Sequence, residues 1–225
     1  VTGIAVFDAG SNDITLLNGA NQFGSISVVE AEGLSIRESG DSDLSAINVA
    51  ELLIESSGSI TDSGTILATS TTSLTASENI TLDSVDSQFG QLALQGMAVS
   101  VRSSGDLVLD RVVADSAILL SDRNILDTTT ALIDVTGSVQ LTAQQDISMG
   151  LADNTVRFGS VSLDGRTVSI KESDSTLLGD VDVLNLSFVS NEEIAQLSDL
   201  SVFKVSGSAL FEARLGDGDI TLDSA

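Results

Sequence analysis

The chain has 225 residues and carries 33 acidic against 9 basic side chains, a formal charge of −24, which excludes a nucleic-acid surface because phosphate binding needs clustered Lys and Arg. It contains no Cys, His, Pro, Trp or Tyr, and therefore no disulfide, thiolate nucleophile, structural zinc site or histidine general base. Hydrophobic residues still make up 42% of it, enough for a continuous core where a poorer chain of this charge would be disordered.

The elements are short and alternate. Val1-Thr2-Gly3 and Val6-Phe7-Asp8-Ala9-Gly10 lead into the first run, Asp13-Ile14-Thr15-Leu16. Ser25-Ile26-Ser27-Val28, Leu34-Ser35-Ile36, Leu92-Ala93-Leu94, Val139-Gln140-Leu141 and Val161-Ser162-Leu163 follow with period two. On a strand that period sends one set of side chains inward and the other outward. Gly, Asn, Asp and Ser, the turn formers, separate the runs. Leu44, Ile47, Leu52 and Ile54, within residues 43–55, suit an amphipathic helix as well as two strands. No run of 18 apolar residues marks a membrane-spanning helix. The chain starts at Val1 with no signal peptide, so it is expected to be an excerpt or a processed product.

A long repeat underlies these runs. Asp13-Ile14-Thr15-Leu16 returns as Asn79-Ile80-Thr81-Leu82, Asp146-Ile147-Ser148-Met149 and Asp219-Ile220-Thr221-Leu222, so that the isoleucines stand at positions 14, 80, 147 and 220. Gln22-Phe23-Gly24 returns as Gln88-Phe89-Gly90 and Arg157-Phe158-Gly159. Leu34-Ser35-Ile36-Arg37 matches Val99-Ser100-Val101-Arg102 and Val168-Ser169-Ile170-Lys171. Ile60-Thr61-Asp62 matches Ile125-Leu126-Asp127 and Ile194-Ala195-Gln196, and Val1-Thr2-Gly3 recurs at residues 135–137 and, with Ser, at 205–207. Fixed-period self-similarity of this kind is the signature of stacked repeats. A sandwich of one such unit, with no aromatic core, would be marginal. The fold predicted is all-β, one continuous right-handed parallel β-helix (β-solenoid) over residues 1–225. Its repeat units lie at about 14–79, 80–146 and 147–219, each divided into three coils, which makes about ten coils in all. Ile14, Ile80, Ile147 and Ile220 should then point inward at one azimuth, and Phe23, Phe89 and Phe158 should occupy equivalent corners.

The motif order resembles the long repeats of filamentous-haemagglutinin-like proteins, giant bacterial adhesins of which many leave the cell by two-partner secretion. The residues that carry the resemblance are Val6 to Gly10, Asp13 to Leu16, Asn21 to Val28, Leu34 to Ile36 and Gly58-Ser59-Ile60-Thr61-Asp62-Ser63-Gly64. It covers essentially the whole chain, and it implies a right-handed β-helix, secretion and a place on the bacterial cell surface.

Candidate chemistry is sparse. Asp41 and Asp43, Asp180 and Asp182, and Asp217 and Asp219 stand two positions apart after Gly40, Gly179 and Gly216. On an extended corner each pair faces one way, and carboxylate oxygens there are candidates for Ca²⁺; solvated corner residues are the plainer reading. Arg37, Arg102 and Lys171 form a basic series with Glu38 and Glu172 beside two of them. It could belong to a polysaccharide lyase or hydrolase, or it could relieve acidic repulsion at the surface. The Phe series suggests core or corner packing. No cofactor is implied beyond Ca²⁺, and no catalytic residue is assigned.

The expected function is structural, a shaft or stalk of a secreted or surface fibre or adhesin, and not enzymatic. The alternatives are a module that binds glycan or protein through one solenoid face, and a β-helix lyase or hydrolase. The expected partners are neighbouring repeats of the same chain or identical chains end to end, besides a surface glycan or protein; nucleic acid and membrane insertion are not expected. Val1 to Phe7 enters in mid-repeat and Asp219 begins a fourth unit. The native array is therefore expected to continue past both ends, since autonomous solenoids carry polar caps.

Overall fold

Alternation folds into strands whose inward side chains are aliphatic. The computed structural model describes residues 3–151, 154–198, 201–214 and 219–222. The strand Ser42–Ser56 buries Leu44, Ile47, Val49, Leu52 and Ile54, and turns Asp43, Ala46, Asn48, Glu51 and Leu53 outward or half outward. This overturns the helical alternative for residues 43–55. The apolar spacing of three at 44–47 and 49–52 is that of a strand with register shifts, after Ile26 and Val49, where the chain rounds a corner.

Each strand lies on another a single coil earlier in the chain. All pairings among the described residues are parallel and join in one sheet. The result is a β-solenoid of about ten coils. Ile60, Ile80, Val99, Ala117, Val139 and Val161 form one vertical column, one coil apart at each step. Leu107, Ile125, Ile147, Val168 and Leu186 form a second. Leu16, Ile36, Ile54, Leu74, Leu94, Val112, Ile133 and Val156 form a third. The chain visits the three walls in rotation, and their inner faces make the core.

This register corrects the expected azimuths. The coils are shorter than a third of a repeat unit: Ile60 is already stacked by Ile80, and Ile80 by Val99. A unit such as Ile14 to Ile80 therefore spans about three and a third coils, not three, and the repeats that begin at Ile14, Ile80 and Ile147 start on successive walls. Ile14 stacks under Leu34 and Leu52 beside the third column, Ile80 is in the first, Ile147 in the second, and Ile220 lies on Ile194 and Thr176. Ile80 and Ile147 are fully buried, Ile14 is half-buried and Ile220 is 45% exposed. Arg37, Arg102 and Lys171 separate likewise, pairing in register with Glu55, Leu120 and Val189, three unrelated positions.

The Phe-Gly corners are alike locally while facing different walls. Phe89 packs over Ala68 and Phe158 over Val135, both buried. Phe23 is half-buried and meets Phe7 edge-on at 5.9 Å between ring centroids. The glycine has a steric cause: a Cβ on Gly90 would sit 1.9 Å from the Ser70 carbonyl oxygen, and one on Gly159 would sit 2.3 Å from that of Thr136. The coil below comes too close for any side chain.

Ile80→Ala and Ile147→Ala are expected to cost about 2–5 kcal/mol each, as buried aliphatic truncations do. Ile220→Ala should stay within about 0.5 kcal/mol; urea unfolding of the three variants tests the assigned burial, and equal losses would contradict it. Gly90→Ala should cost about 1–3 kcal/mol through overpacking, read from the same unfolding curves.

Candidate functional site

Corner aspartates reach one coil upward. Asp41 Oδ1 accepts the Ser59 N–H at 2.9 Å, and Asp106 Oδ1 accepts the Asn124 N–H at 3.1 Å. Asp146 Oδ1 accepts from Thr167 at 3.1 Å and Asp180 Oδ1 from Val202 at 2.8 Å. Asp62 takes two, from Asp83 at 2.9 Å and Ser84 at 3.2 Å. Burial pushes the Asp62 carboxyl above its ordinary pKa, and those two N–H groups pull against the shift. Asp and its neighbours sit at corners because the turning backbone there leaves N–H groups that the ladder cannot satisfy.

Of the six aspartates considered for Ca²⁺, the five that are described do not converge on one site. Asp41 and Asp43 serve separate partners, the Ser59 N–H and the Ser63 hydroxyl, the latter at 2.8 Å. Asp180 caps Val202, while both Asp182 oxygens lie 2.9 Å from Lys204 Nζ. Asp219 is exposed and its carbonyl accepts the Ile194 N–H; Asp217 lies outside the described residues. No group of three acidic side chains placed to hold a metal occurs among the described residues. Asp180 and Asp182 do line a shallow groove of about 310 Å³ with Gln140, Thr142, Ser162 and Asp164. Asp164 stacks directly on Asp182 across the coils; the sequence shows it only as half of an Asp-Gly pair.

Two members of the basic series are tied to acids at the surface. Arg37 meets Glu55 at 2.6 Å and Arg102 meets Asp122 at 3.3 Å. Such exposed pairs contribute little. Ser201 and Lys204 stand in Ser-x-x-Lys order, which could mark a nucleophile and its base. Lys204 is instead bound to both oxygens of Asp182, and Ser201 Oγ faces Ser198 Oγ at 3.3 Å.

Two buried acids escaped the sequence reading as anything but neighbours of the basic series. Glu38 is 1% exposed and Glu172 is fully buried. Each accepts the backbone N–H of a Phe-Gly phenylalanine, Glu38 from Phe23 at 2.7 Å and Glu172 from Phe158 at 2.6 Å. Burial pushes the Glu172 carboxyl up to about 9, against the pull of the Phe158 N–H and with a small push from the negative charge of Asp174. The signal available in sequence was the equivalent placing of the two acids, Glu38 following Phe23 and Glu172 following Phe158 at nearly the same distance along the chain.

A family model described as repeats of unknown function (DUF5649) matches residues 1–30, 31–94 and 165–225. The matched segments hold both buried glutamates and pass over the stretch where Ser103 stands in their place. No curated protein and no solved structure gives a significant match.

Because the Asp41, Asp43, Asp180 and Asp182 carboxylates already hold backbone, hydroxyl or lysine donors, Ca²⁺ would have to displace those bonds to gain its six to eight oxygens. Thermal unfolding in physiological salt is expected to be the same with Ca²⁺ and with a chelator. A midpoint raised by Ca²⁺ and lost on Asp180→Asn with Asp182→Asn would instead establish metal binding at the groove.

Proposed function

The chain belongs to this family of repeats, and on that premise we propose that it is a shaft segment of a secreted or cell-surface bacterial fibre or adhesin, without enzymatic activity. The observation that carries the proposal is the single parallel sheet that joins the strands of the described residues, in which one coil prepares the surface on which the next is laid. Stacked repeats that contact only their neighbours suit length and stiffness. The resemblance of the motifs to filamentous-haemagglutinin-like repeats supports the same reading, and with it the bacterial surface location.

Phe7, Ala9, Ile14, Leu16 and Phe23 at one end, and Phe203, Val205, Phe211 and Leu222 at the other, are only partly buried against the core. Phe203 and Phe211 pack at 5.8 Å between ring centroids there. A further coil, from the same array or an identical chain, would cover these surfaces and pair the open strand edges. A second reading is a binding module: the groove of Gln140, Thr142, Ser162, Asp164, Asp180 and Asp182 presents amide, hydroxyl and carboxylate groups suited to a glycan.

Sedimentation over a range of concentrations, with electron microscopy, tests the shaft. Ten coils at about 4.8 Å make a rod of about 50 Å, and end-to-end association should give rods in multiples of that length. A sharply monomeric species at every concentration would count against stacking of identical chains. Polysaccharide turnover by the pure chain, lost on Asp164→Asn or Asp180→Asn, would overturn the non-enzymatic proposal.

A further inference from the structure

The corners after Phe23-Gly24 and Phe158-Gly159 enclose a carboxyl in the same way. In each, one glutamate oxygen accepts the phenylalanine N–H, and the other, Glu38 Oε2 or Glu172 Oε2, is buried without a hydrogen-bond partner. Four positions on, a buried hydroxyl, Ser42 Oγ or Thr176 Oγ1, is also without one. The backbone there is shared by all three units: the Ser39 N–H donates to the Asn21 carbonyl at 3.0 Å, Ser104 to Ser87 at 2.9 Å and Ser173 to Val156 at 2.7 Å. In the middle unit Ser103 takes the acid's position, and its hydroxyl accepts the Gly105 N–H at 3.2 Å. A serine therefore suffices to turn this corner, and the carboxyl is an addition to it.

An ionised carboxylate here would be buried with one N–H donor and no cation, a costly arrangement. Among the described residues no Lys or Arg forms an ion pair with Glu172. Charged groups on the surrounding elements include Asp174 on its own turn, Lys171 before it, Arg157 beside Phe158, and Glu192 and Glu193 on the coil above, where the Asn191 N–H donates to the Glu172 carbonyl. Arg157, Asp174 and Glu192 are exposed, and Lys171 is half-exposed. Ser190, its partner in register, is uncharged.

We propose that Glu172 stands as a neutral carboxylic acid in the folded solenoid, so that the closure of the Phe158 corner is a proton-dependent latch. Protonation removes the buried charge at a site that offers Oε2 no donor. Oε1 keeps the Phe158 N–H. The direction of the titration agrees, since burial raises this carboxyl from the ordinary 4.5 to about 9. Below 4.5 the folded and unfolded chains both hold the proton, and the latch contributes fully. Between 4.5 and about 9 the unfolded chain releases it while the folded chain keeps it, so stability falls as pH rises. Near 9 the folded group also ionises and the latch is lost. The solenoid is thereby made firmer in mild acid and looser in alkali at one defined corner, whatever its ends bind.

Two measurements on the full chain decide this. In the parent protein with ¹³C-labelled glutamate, the Glu172 carboxyl resonance should remain that of the protonated acid at pH 7 and titrate toward pH 9; an ionised resonance at pH 7 overturns the proposal. The resonance is assigned by its absence in Glu172→Gln. That variant keeps the acceptor for Phe158 and carries no charge. Its urea midpoint should be close to the parent's at pH 5 and higher than the parent's at pH 8. Glu192→Gln, an exposed control, should follow the parent at both. Parallel pH profiles for the parent and Glu172→Gln overturn the latch, and if Glu172→Gln fails to fold, the resonance, assigned by selective labelling around it, decides alone.

Discussion

The laying of each coil on the one below, by parallel backbone hydrogen bonds with an aliphatic column behind them, is the interaction on which the rest of this molecule depends. The backbone of a parallel wall has no hairpin partner, so its N–H and C=O groups are satisfied only by neighbouring coils. The column Ile60, Ile80, Val99, Ala117, Val139 and Val161 shows the second part of that interaction: inward positions meet their like at every level. Each fully buried aliphatic contributes about 1.5–3 kcal/mol relative to exposure. Small and medium aliphatics fill most of the core, with Phe89, Phe158 and Phe188 also buried, and it forms without Trp or Tyr.

The acidity is organised by the same stacking. Asp41, Asp62, Asp106, Asp146 and Asp180 each reach one coil ahead to accept a backbone N–H at the next corner. A carboxylate that caps the coil above adds to the ladder while its charge stays at the solvent edge. Where the acid is drawn inside, as Asp62 is in part and Glu172 is wholly, desolvation governs its titration. Charge and fold are thus coupled through corners.

The mismatch between repeat and coil matters for what the surface can present. A unit of about three and a third coils places Ile14, Ile80 and Ile147 on different walls. Any feature written into the repeat is distributed around the rod instead of along one stripe, as Arg37, Arg102 and Lys171 show by pairing with Glu55, Leu120 and Val189. A rod of this kind has no single working face set by its repeat. A distinctive face arises where units diverge, as at the groove lined by Asp164, Asp180 and Asp182.

The sequence by itself determined that the chain is all-β, repetitive and parallel. Period-two runs such as Ser25-Ile26-Ser27-Val28 specify a buried face, and the recurrence of Ile-Thr-Leu and Phe-Gly specifies stacking, both being local patterns. It also showed the glycine after each phenylalanine without its cause, the Ser70 and Thr136 carbonyls beneath Gly90 and Gly159. Only the tertiary structure decided the azimuth of each residue, because that depends on how much chain every corner consumes. The coil from Val99 to Ala117 and the longer one from Ala117 to Val139 look alike in a linear pattern, yet such differences, summed over a unit, move a residue to another wall. The same holds for Leu44 to Ile54, a helix or a strand by spacing and a strand once coils above and below offer their backbones. It holds most for Glu172. Beside Lys171 and Asp174 it reads as one more surface acid, and only the closing of the coil over Phe158 removes it from water, since burial is a property of what stacks on a residue and not of the residues next to it in the chain.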